Sequence, residues 1–198
     1  EWRWIPPADR QLDVPDPAGR IDAWQTTPFD YPRFLGPEGN GIIANVALDP
    51  DWDRHPPRKV WQPPIGAGWS GFVVVGNYAI TQEQRGENEM VVCRRLDDGE
   101  IIWTHSDSLR FDSNHLSGRM SGPGPRATPA IADGKVFTHG ATGIVNCLDA
   151  RTGQRLWSHD TLAKHGGENI LWGKSGSPLV VDDKVVISVG APGGKSLI

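Results

Sequence analysis

The 198-residue sequence predicts an all-β fold built from repeated antiparallel sheets. Two short segments carry the pattern Gly-x-x-x-Trp-(Ser/Thr)-His, and they begin 54 residues apart, at Gly99 and Gly153. Cys93 and Cys147 keep the same offset. The chain also contains 24 Gly and 17 Pro among short apolar runs, which is typical of many turns and many strands. A constant offset between sparse residue types indicates a structural repeat.

The first predicted elements of each unit form a hairpin. Three segments align without gaps on a small hydroxyl residue, and they begin at Ser70, Thr128 and Ser177. Each reads as strand, tight turn, strand. The predicted turns are Gly76-Asn77, Asp133-Gly134 and Asp182-Asp183. Gly, Asn and Asp tolerate the positive φ that two-residue hairpins require, so these turns favour antiparallel pairing.

A second pair of strands follows in the first two units. "MVVCRR" leads through Gly99 to "EIIWTH", and "GIVNCLDA" leads through Gly153 to "QRLWSH", whereas the third unit stops at "SLI". The unit is therefore a four-stranded up-and-down meander, which is typical of a β-propeller blade. A lone blade cannot bury both of its faces. We therefore expect about two and a half blades over residues 59–198, forming the N-terminal portion of a larger ring.

Residues 1–58 differ in composition and are predicted to form an irregular leader rich in Pro and Asp. Their sequence shows no sustained period, and partial disorder of residues 1–20 is the alternative to a leader that lies against the blades. The aromatic residues expected to pin the leader are Trp2, Trp4, Trp24, Phe29, Phe34 and Trp52. Just after the leader, "RKVWQPP" around Trp61 resembles a Trp-bearing fourth strand, and we expect it to complete the last blade of the ring.

Composition excludes several classes of function. The net charge is −4 and no basic stripe is visible, so no nucleic-acid partner is expected. No apolar stretch approaches the roughly 18 to 20 residues that cross a bilayer, so this segment is not expected to insert into a membrane, and an upstream anchor stays open. Cys93 and Cys147 occupy equivalent repeat positions, so we expect two separate, reduced, buried thiols.

The segment "CLDARTGQRLW", from Cys147 to Trp157, resembles the tryptophan-docking motif of the pyrroloquinoline quinone (PQQ) repeat propellers. Asp149, Thr152 and Gly153 match that motif, as does Trp157, while the earlier copy "CRRLDDGEIIW" keeps its Gly and its Trp. The resemblance implies that each Trp packs between neighbouring blades. "FLGPEGNG" is also similar to bacterial PQQ-binding-like propellers of the outer-membrane-protein assembly factor B group.

The candidate binding site lies where the long loops share one face, because long loops carry function more often than tight turns. The residues expected at the mouth of the central channel are Trp69, Ser70, Arg126, Thr128, Lys174, Ser175 and Ser177. Two cations beside Trp faces would hold an anionic, planar ligand such as a quinone carboxylate. The alternative is that Arg126 and Lys174 bind loop carbonyls or form ion pairs with Glu83 or Glu168.

No catalytic or metal-binding residue is predicted, because no paired carboxylates, nucleophile arrangement or metal spacing is recognisable. "GAPGGKS" lacks the spacing of a phosphate loop. His105 and His159 occupy the same repeat position and are expected to be structural. His115 and His165 lie in long loops and are better ligand candidates, although each is alone.

The sequence therefore favours a non-catalytic, extracytoplasmic scaffold, either periplasmic or membrane-anchored, that binds a protein partner or a small anionic ligand at the channel face. The first alternative is a quinoprotein dehydrogenase for alcohols or sugars, with PQQ and calcium as candidate cofactors. The adjacent Cys-Cys pair that the resemblance implies for such enzymes does not occur in this sequence. The second alternative is the sensor domain of a membrane kinase.

Overall fold

A computed structural model describes residues 8–17, 19–44, 46–113 and 122–198. The first blade consists of β1 (Val73–Val75), β2 (Tyr78–Arg85), β3 (Asn88–Arg95) and β4 (Ile101–Asp107). The second consists of β5 (Ala130–Ala132), β6 (Lys135–His139), β7 (Ile144–Asp149) and β8 (Arg155–Asp160). A third sheet pairs β9 (Leu179–Val181) with β10 (Lys184–Val186). Two short helices complete the elements, a 3-10 helix at Ala8–Gln11 and α1 at Thr161–His165.

Each sheet pairs its strands in sequence order, and every pairing is antiparallel. The predicted hairpin turns are present, with positive φ at Gly76, Asp133 and Asp182. This confirms the all-β propeller fold, in which the sheets of the described residues do not close a ring. Helix α1 was not predicted. It begins after Asp160, whose carboxylate accepts a hydrogen bond from the Ala163 N–H at 2.9 Å.

The tryptophan of the first blade lies between the first two blades. Trp103 is fully buried, and its indole Nε1 donates to the carbonyl of Ala150 at 3.1 Å. A Cβ added at Gly153 would lie 2.4 Å from the indole, so only glycine permits this close approach. Trp157 differs, since 44% of it is exposed. Trp103 thus contacts both of the first two blades, whereas Trp157 borders the cavity between the second and third sheets, where its packing between blades stays a prediction.

Trp61 packs against the first blade in the same way. Its Nε1 donates to the carbonyl of Leu96 at 2.6 Å, and a Cβ at Gly99 would lie 2.8 Å from its ring. In both cases the acceptor lies three residues before the glycine. Trp61 thus has the same relation to the first blade that Trp103 has to the second. This agrees with the expected resemblance of "RKVWQPP" to a fourth strand, although those residues form no strand.

The leader is held by backbone hydrogen bonds to the blades and by arginine side chains of the blades that donate to its backbone carbonyls. Arg85 donates to the carbonyl of Asp13 at 2.7 Å, and Arg151 donates to that of Ile21 at 2.9 Å. The start of the leader adds a buried ion pair between Asp9 and Arg110, with a shortest N–O distance of 2.7 Å. Ile21 itself is fully buried in the core between the blades.

The prediction that aromatic residues pin the leader was largely wrong. Trp24 does stack on Tyr78, with ring centroids 6.2 Å apart. Phe29, Phe34 and Trp52, however, are each more than half exposed. An extended, Pro-rich backbone leaves many carbonyls unpaired, and these are the groups that the arginines bind. The positions of Trp2 and Trp4 fall outside the described residues.

Cys93 and Cys147 are buried free thiols in equivalent strands of the two blades, as predicted. Cys93 lies opposite Trp103, and Cys147 lies opposite Trp157. Within the described ranges, no helix combines the length and the apolar character needed to cross a bilayer.

Candidate functional site

The innermost segments of the three sheets are joined by side-chain hydroxyls. The Gly71 N–H donates to Thr128 Oγ1 at 3.0 Å, and the Thr128 N–H donates to Ser177 Oγ at 2.9 Å. Ser70 Oγ instead accepts from the Gln82 N–H of its own blade at 3.3 Å. Three of the hydroxyls predicted at the channel mouth are therefore engaged by backbone N–H groups.

A cavity of about 380 Å³ lies on the face that the long loops share, and it is lined by Trp69, Arg126, Trp172 and Ser175. It brings together three of the seven predicted site residues. Trp69 is 53% exposed and Trp172 is 45% exposed, so both indoles offer apolar surface to a ligand. Trp172 was not predicted. Its position shortly before a first strand, like that of Trp69, was the signal that could have identified it.

Close loop packing positions the lining residues. The Trp69 N–H donates to the carbonyl of Pro125 at 2.8 Å, which places Trp69 beside Arg126. A Cβ at Gly124 would lie 2.3 Å from the carbonyl oxygen of Ala67, so glycine is required where these two loops meet. The loop that carries Trp172 continues into the Lys174 N–H, which donates to the carbonyl of Ala141 in the second blade.

The guanidinium of Arg126 is held rigidly at the edge of the cavity. It lies 4.7 Å from the centroid of the Phe111 ring. It donates to the carbonyl of Gly124 at 2.5 Å, to Ser113 Oγ at 3.0 Å and to the carbonyl of Gly122 at 3.1 Å. Arg126 therefore binds loop carbonyls, as the alternative expects, and it also lines the cavity. These contacts involve three of the five N–H donors that a guanidinium offers.

Glu89 is a buried carboxyl that interacts electrostatically with Arg126 and was not identified from the sequence. It lies on β3 and spans the gap to the second blade, where its Oε2 accepts from the Ala141 N–H at 3.1 Å. Burial raises the pKa of Glu89 to about 7, and the nearby Asp107 carboxylate adds to this increase. The net charge around Arg126 therefore changes near neutral pH.

Lys174 does not reach the cavity, which corrects its expected place at the channel mouth. Only 6% of the residue is exposed. Its Nζ donates to the carbonyls of Val189 at 2.7 Å and Glu168 at 3.3 Å, and burial lowers its pKa. A buried ammonium group needs hydrogen-bond acceptors, and these two carbonyls supply them.

The histidines form no ligand cluster in the part of the chain that the structure describes. His159 Nε2 lies 3.1 Å from His165 Nε2, a hydrogen bond in which one ring donates and the other accepts. His105 Nε2 lies 3.5 Å from a carboxylate oxygen of Asp107. His115 falls outside the described residues. Among residues 8–17, 19–44, 46–113 and 122–198, no group of three Asp, Glu, His or Cys side chains is placed to hold a metal ion.

A second cavity, of about 350 Å³, lies beside the outer strand of the second blade. Its lining includes Trp157 and His159 together with Val145 and Ile187, which belong to an apolar cluster between the second and third sheets. Thr161 of α1 also lines it, so this cavity lies beside β8 and not at the segments that precede the innermost strands. We therefore regard the cavity at Arg126 as the candidate site.

The lining residues decide which chemistry the candidate site can support. Two indole surfaces and one guanidinium would suit a flat or apolar group that carries a negative charge. The four residues that line the cavity include no carboxylate, imidazole or thiol for acid–base or nucleophilic work.

Comparisons with known proteins agree with the repeat. Residues 113–195 match the family model described as outer membrane protein assembly factor BamB. A curated relative, the quinohemoprotein alcohol dehydrogenase ADH-IIG of Pseudomonas putida, is 34% identical over 93 residues, which cover 47% of this chain and 12% of the relative. The outer membrane protein assembly factor BamB of Xanthomonas campestris is 38% identical over 65 residues, or 32% of this chain and 16% of the relative.

Among solved structures, the quinohemoprotein alcohol dehydrogenase from Comamonas testosteroni aligns with a TM-score of 0.48 at 23% identity, over 64% of this chain and 18% of that chain. The chain thus spans a small part of the length of the relatives it matches. The sequence matches confirm the resemblance to PQQ-repeat propellers, a group with both BamB-like and quinoprotein members.

Proposed function

We propose, on the premise that its blades are PQQ-type repeats, that this protein is a non-catalytic, extracytoplasmic binding or assembly scaffold whose recognition site is the cavity at Arg126. One observation carries the proposal. Trp69 and Trp172 each expose about half of their surface, and both line a cavity that the Arg126 guanidinium also lines. Trp and Arg are the residue types that most often dominate binding energy at protein interfaces. Groups for acid–base chemistry are missing from this lining.

The partner that suits this surface is a protein segment that presents an aromatic or aliphatic side chain next to a carboxylate. The apolar side chain would cover the indoles, and the carboxylate would bind the remaining N–H donors of Arg126. The similarity to a protein named outer membrane protein assembly factor BamB supports a protein partner. In this proposal residues 1–58 act as the leader and residues 59–198 as blades. Ser70, Thr128, Lys174 and Ser177 support the site without touching the partner.

A quinoprotein dehydrogenase is the second candidate, because one relative of that class is 34% identical over 93 residues. The indoles and Arg126 fit a planar, anionic quinone, which would supply a two-electron acceptor when bound. The described residues offer no matching cluster of calcium ligands. Under this alternative, Trp69 and Trp172 would cover the ring faces and Arg126 would bind a carboxylate of the quinone.

Calorimetry on the full-length protein separates the two candidates. PQQ is titrated at micromolar concentrations with and without calcium. If the protein is a scaffold, we expect no saturable binding heat. A saturable isotherm that disappears in Arg126→Ala would refute the scaffold proposal and favour the quinoprotein dehydrogenase. Trp52→Ala is the control variant, because Trp52 is 58% exposed and lies outside the cavity.

Site-specific photo-crosslinking in the producing cell tests the protein partner. A photoreactive residue placed at Ser175 is expected to yield one discrete adduct, and the same residue placed at Trp52 is not. The partner identified by mass spectrometry is then purified and titrated directly. We expect Trp172→Ala to weaken that binding by about 2 kcal/mol, or roughly 30-fold. Equal affinities for Trp172→Ala and Trp52→Ala would refute the assignment of the site.

A further inference from the structure

A short part of the leader lies directly on the innermost strands of the first two blades. The Tyr31 N–H donates to the carbonyl of Val74 at 2.7 Å, and the Val74 N–H donates back to Tyr31 at 2.9 Å. The next residue, Pro32, accepts a hydrogen bond from the Ile131 N–H of the second blade at 2.7 Å. Two consecutive leader residues therefore bind the free inner edges of β1 and β5.

The leader then continues to the third sheet as a compact, Gly-rich turn at residues 33–41. Within the turn, the Gly39 N–H donates to the carbonyl of Gly36 at 3.0 Å, and the Gly41 N–H donates to that of Leu35 at 2.8 Å. The turn and the start of the third sheet together line a cavity of about 300 Å³. The residues around this cavity are Arg33, Phe34, Glu38, Gly39, Ser177, Pro178 and Leu179. The leader thus contacts the innermost segment of each of the three sheets.

These contacts lie well below the candidate site along the channel. Val74 comes five residues after Trp69, and Ile131 comes five residues after Arg126. Extended chain rises about 3.3 Å per residue, so the leader crosses at most roughly 16 Å beneath the lining of the cavity. On the third sheet, Leu179 likewise follows Ser175 along the chain.

We propose that residues 30–41 close the far end of the channel that the innermost strands line. The cavity at Arg126 then has a single mouth, through which a ligand or a partner segment enters and leaves on the same face. A polymer that threads through the channel is excluded, and the site takes a chain end, a side chain or a compact molecule. This closure is independent of the identity of the ligand proposed above.

Hydrogen exchange of the intact protein tests the closure. The N–H groups of Val74 and Ile131 face the channel, and their partners are carbonyls of the leader. We compare Gly36→Ala with Gly39→Ala, two positions with similar positive φ. A Cβ at Gly36 would lie 2.8 Å from the Tyr31 ring, whereas none of the atoms lies within 4 Å of a Cβ at Gly39.

The wild-type protein should protect both channel-facing amides, and Gly36→Ala should speed their exchange about tenfold relative to Gly39→Ala, since it displaces the leader locally. Fast exchange in the wild type, or equal rates in the two variants, would overturn the proposal.

If Gly36→Ala fails to fold, crosslinking tests the closure of the channel instead. Phe34→Cys combined with Leu179→Cys should be joined within one chain by a short bismaleimide, because both residues line the lower cavity and are about half exposed. Phe34→Cys combined with Trp69→Cys is the matched control, in which the second cysteine lies at the mouth. A crosslink only in the control pair would show that the turn lies at the wrong end of the channel.

Discussion

Replacing Glu89 by Gln tests the buried carboxyl between the first two blades. The side chain reaches from β3 to the Ala141 N–H, and glutamine keeps its size and an acceptor oxygen for that bond. Burial raises the pKa of Glu89 from 4.5 to about 7. One pKa unit corresponds to 1.36 kcal/mol, so the linkage free energy is about 3 kcal/mol.

The sign follows from which state binds the proton more tightly. The folded protein keeps the proton up to about pH 7, whereas the unfolded chain releases it near pH 4.5. The contribution of Glu89 to stability is therefore fully present below pH 4.5 and is lost as the pH rises through 7. Glu89→Gln does not titrate, so it removes this loss. Between pH 4.5 and pH 8, we expect the free energy of unfolding of the variant to rise by about 3 kcal/mol relative to that of the wild type.

Urea unfolding of the full-length protein at pH 4.5, 6 and 8, followed by tryptophan fluorescence, measures the difference in free energy. Glu87→Gln is the control, because the Glu87 side chain is 66% exposed and is paired with Arg10 on the surface. Parallel pH profiles for wild type and Glu89→Gln would refute the assignment of a neutral, buried carboxyl to this interface.

Three further outcomes are expected. Trp103→Ala should lower the free energy of unfolding by about 3 to 5 kcal/mol, as for other buried aromatics, and Trp157→Ala by roughly half as much or less because it is 44% exposed; chemical denaturation of both variants compares them. Cys93 and Cys147 should resist alkylation in the folded protein and both react without reductant once it is unfolded, because burial raises the pKa of each thiol; mass spectrometry counts the adducts, and a disulfide would contradict the blade alignment. If calorimetry does detect PQQ, Arg126→Ala should weaken its binding by roughly ten- to a hundredfold, and an unchanged isotherm would exclude Arg126 as the charge partner.

The blades could be predicted because their signals are local. A two-residue turn with Asp or Gly fixes a hairpin, and Asp182 and Gly76 adopt the positive φ that their residue types indicated. The repeat then relates one blade to the next, so Gly99 and Gly153 could be assigned to equivalent positions. Trp157 departs from the pattern because burial depends on the neighbouring blade, which local sequence does not describe.

The leader and part of the site could not be predicted for a different reason. A hydrogen bond from Arg151 to the carbonyl of Ile21 leaves no mark in the sequence, because every residue offers a carbonyl. Likewise the repeat placed Lys174 near the first strand of its sheet but did not fix the direction of a loop side chain. Glu89 was not identified because a glutamate in a strand is usually exposed, and its burial depends on neighbours in three dimensions that the local sequence does not show.

The hydroxyl contacts between innermost segments bear on how such an array can grow. Thr128 uses its hydroxyl to accept from Gly71 on one side and its N–H to donate to Ser177 on the other, so the second unit carries both halves of one head-to-tail joint. A joint of this kind does not specify how many units follow. Tandem duplication of this unit in the gene would therefore repeat the same pair of bonds, and arrays of different length can arise in this way.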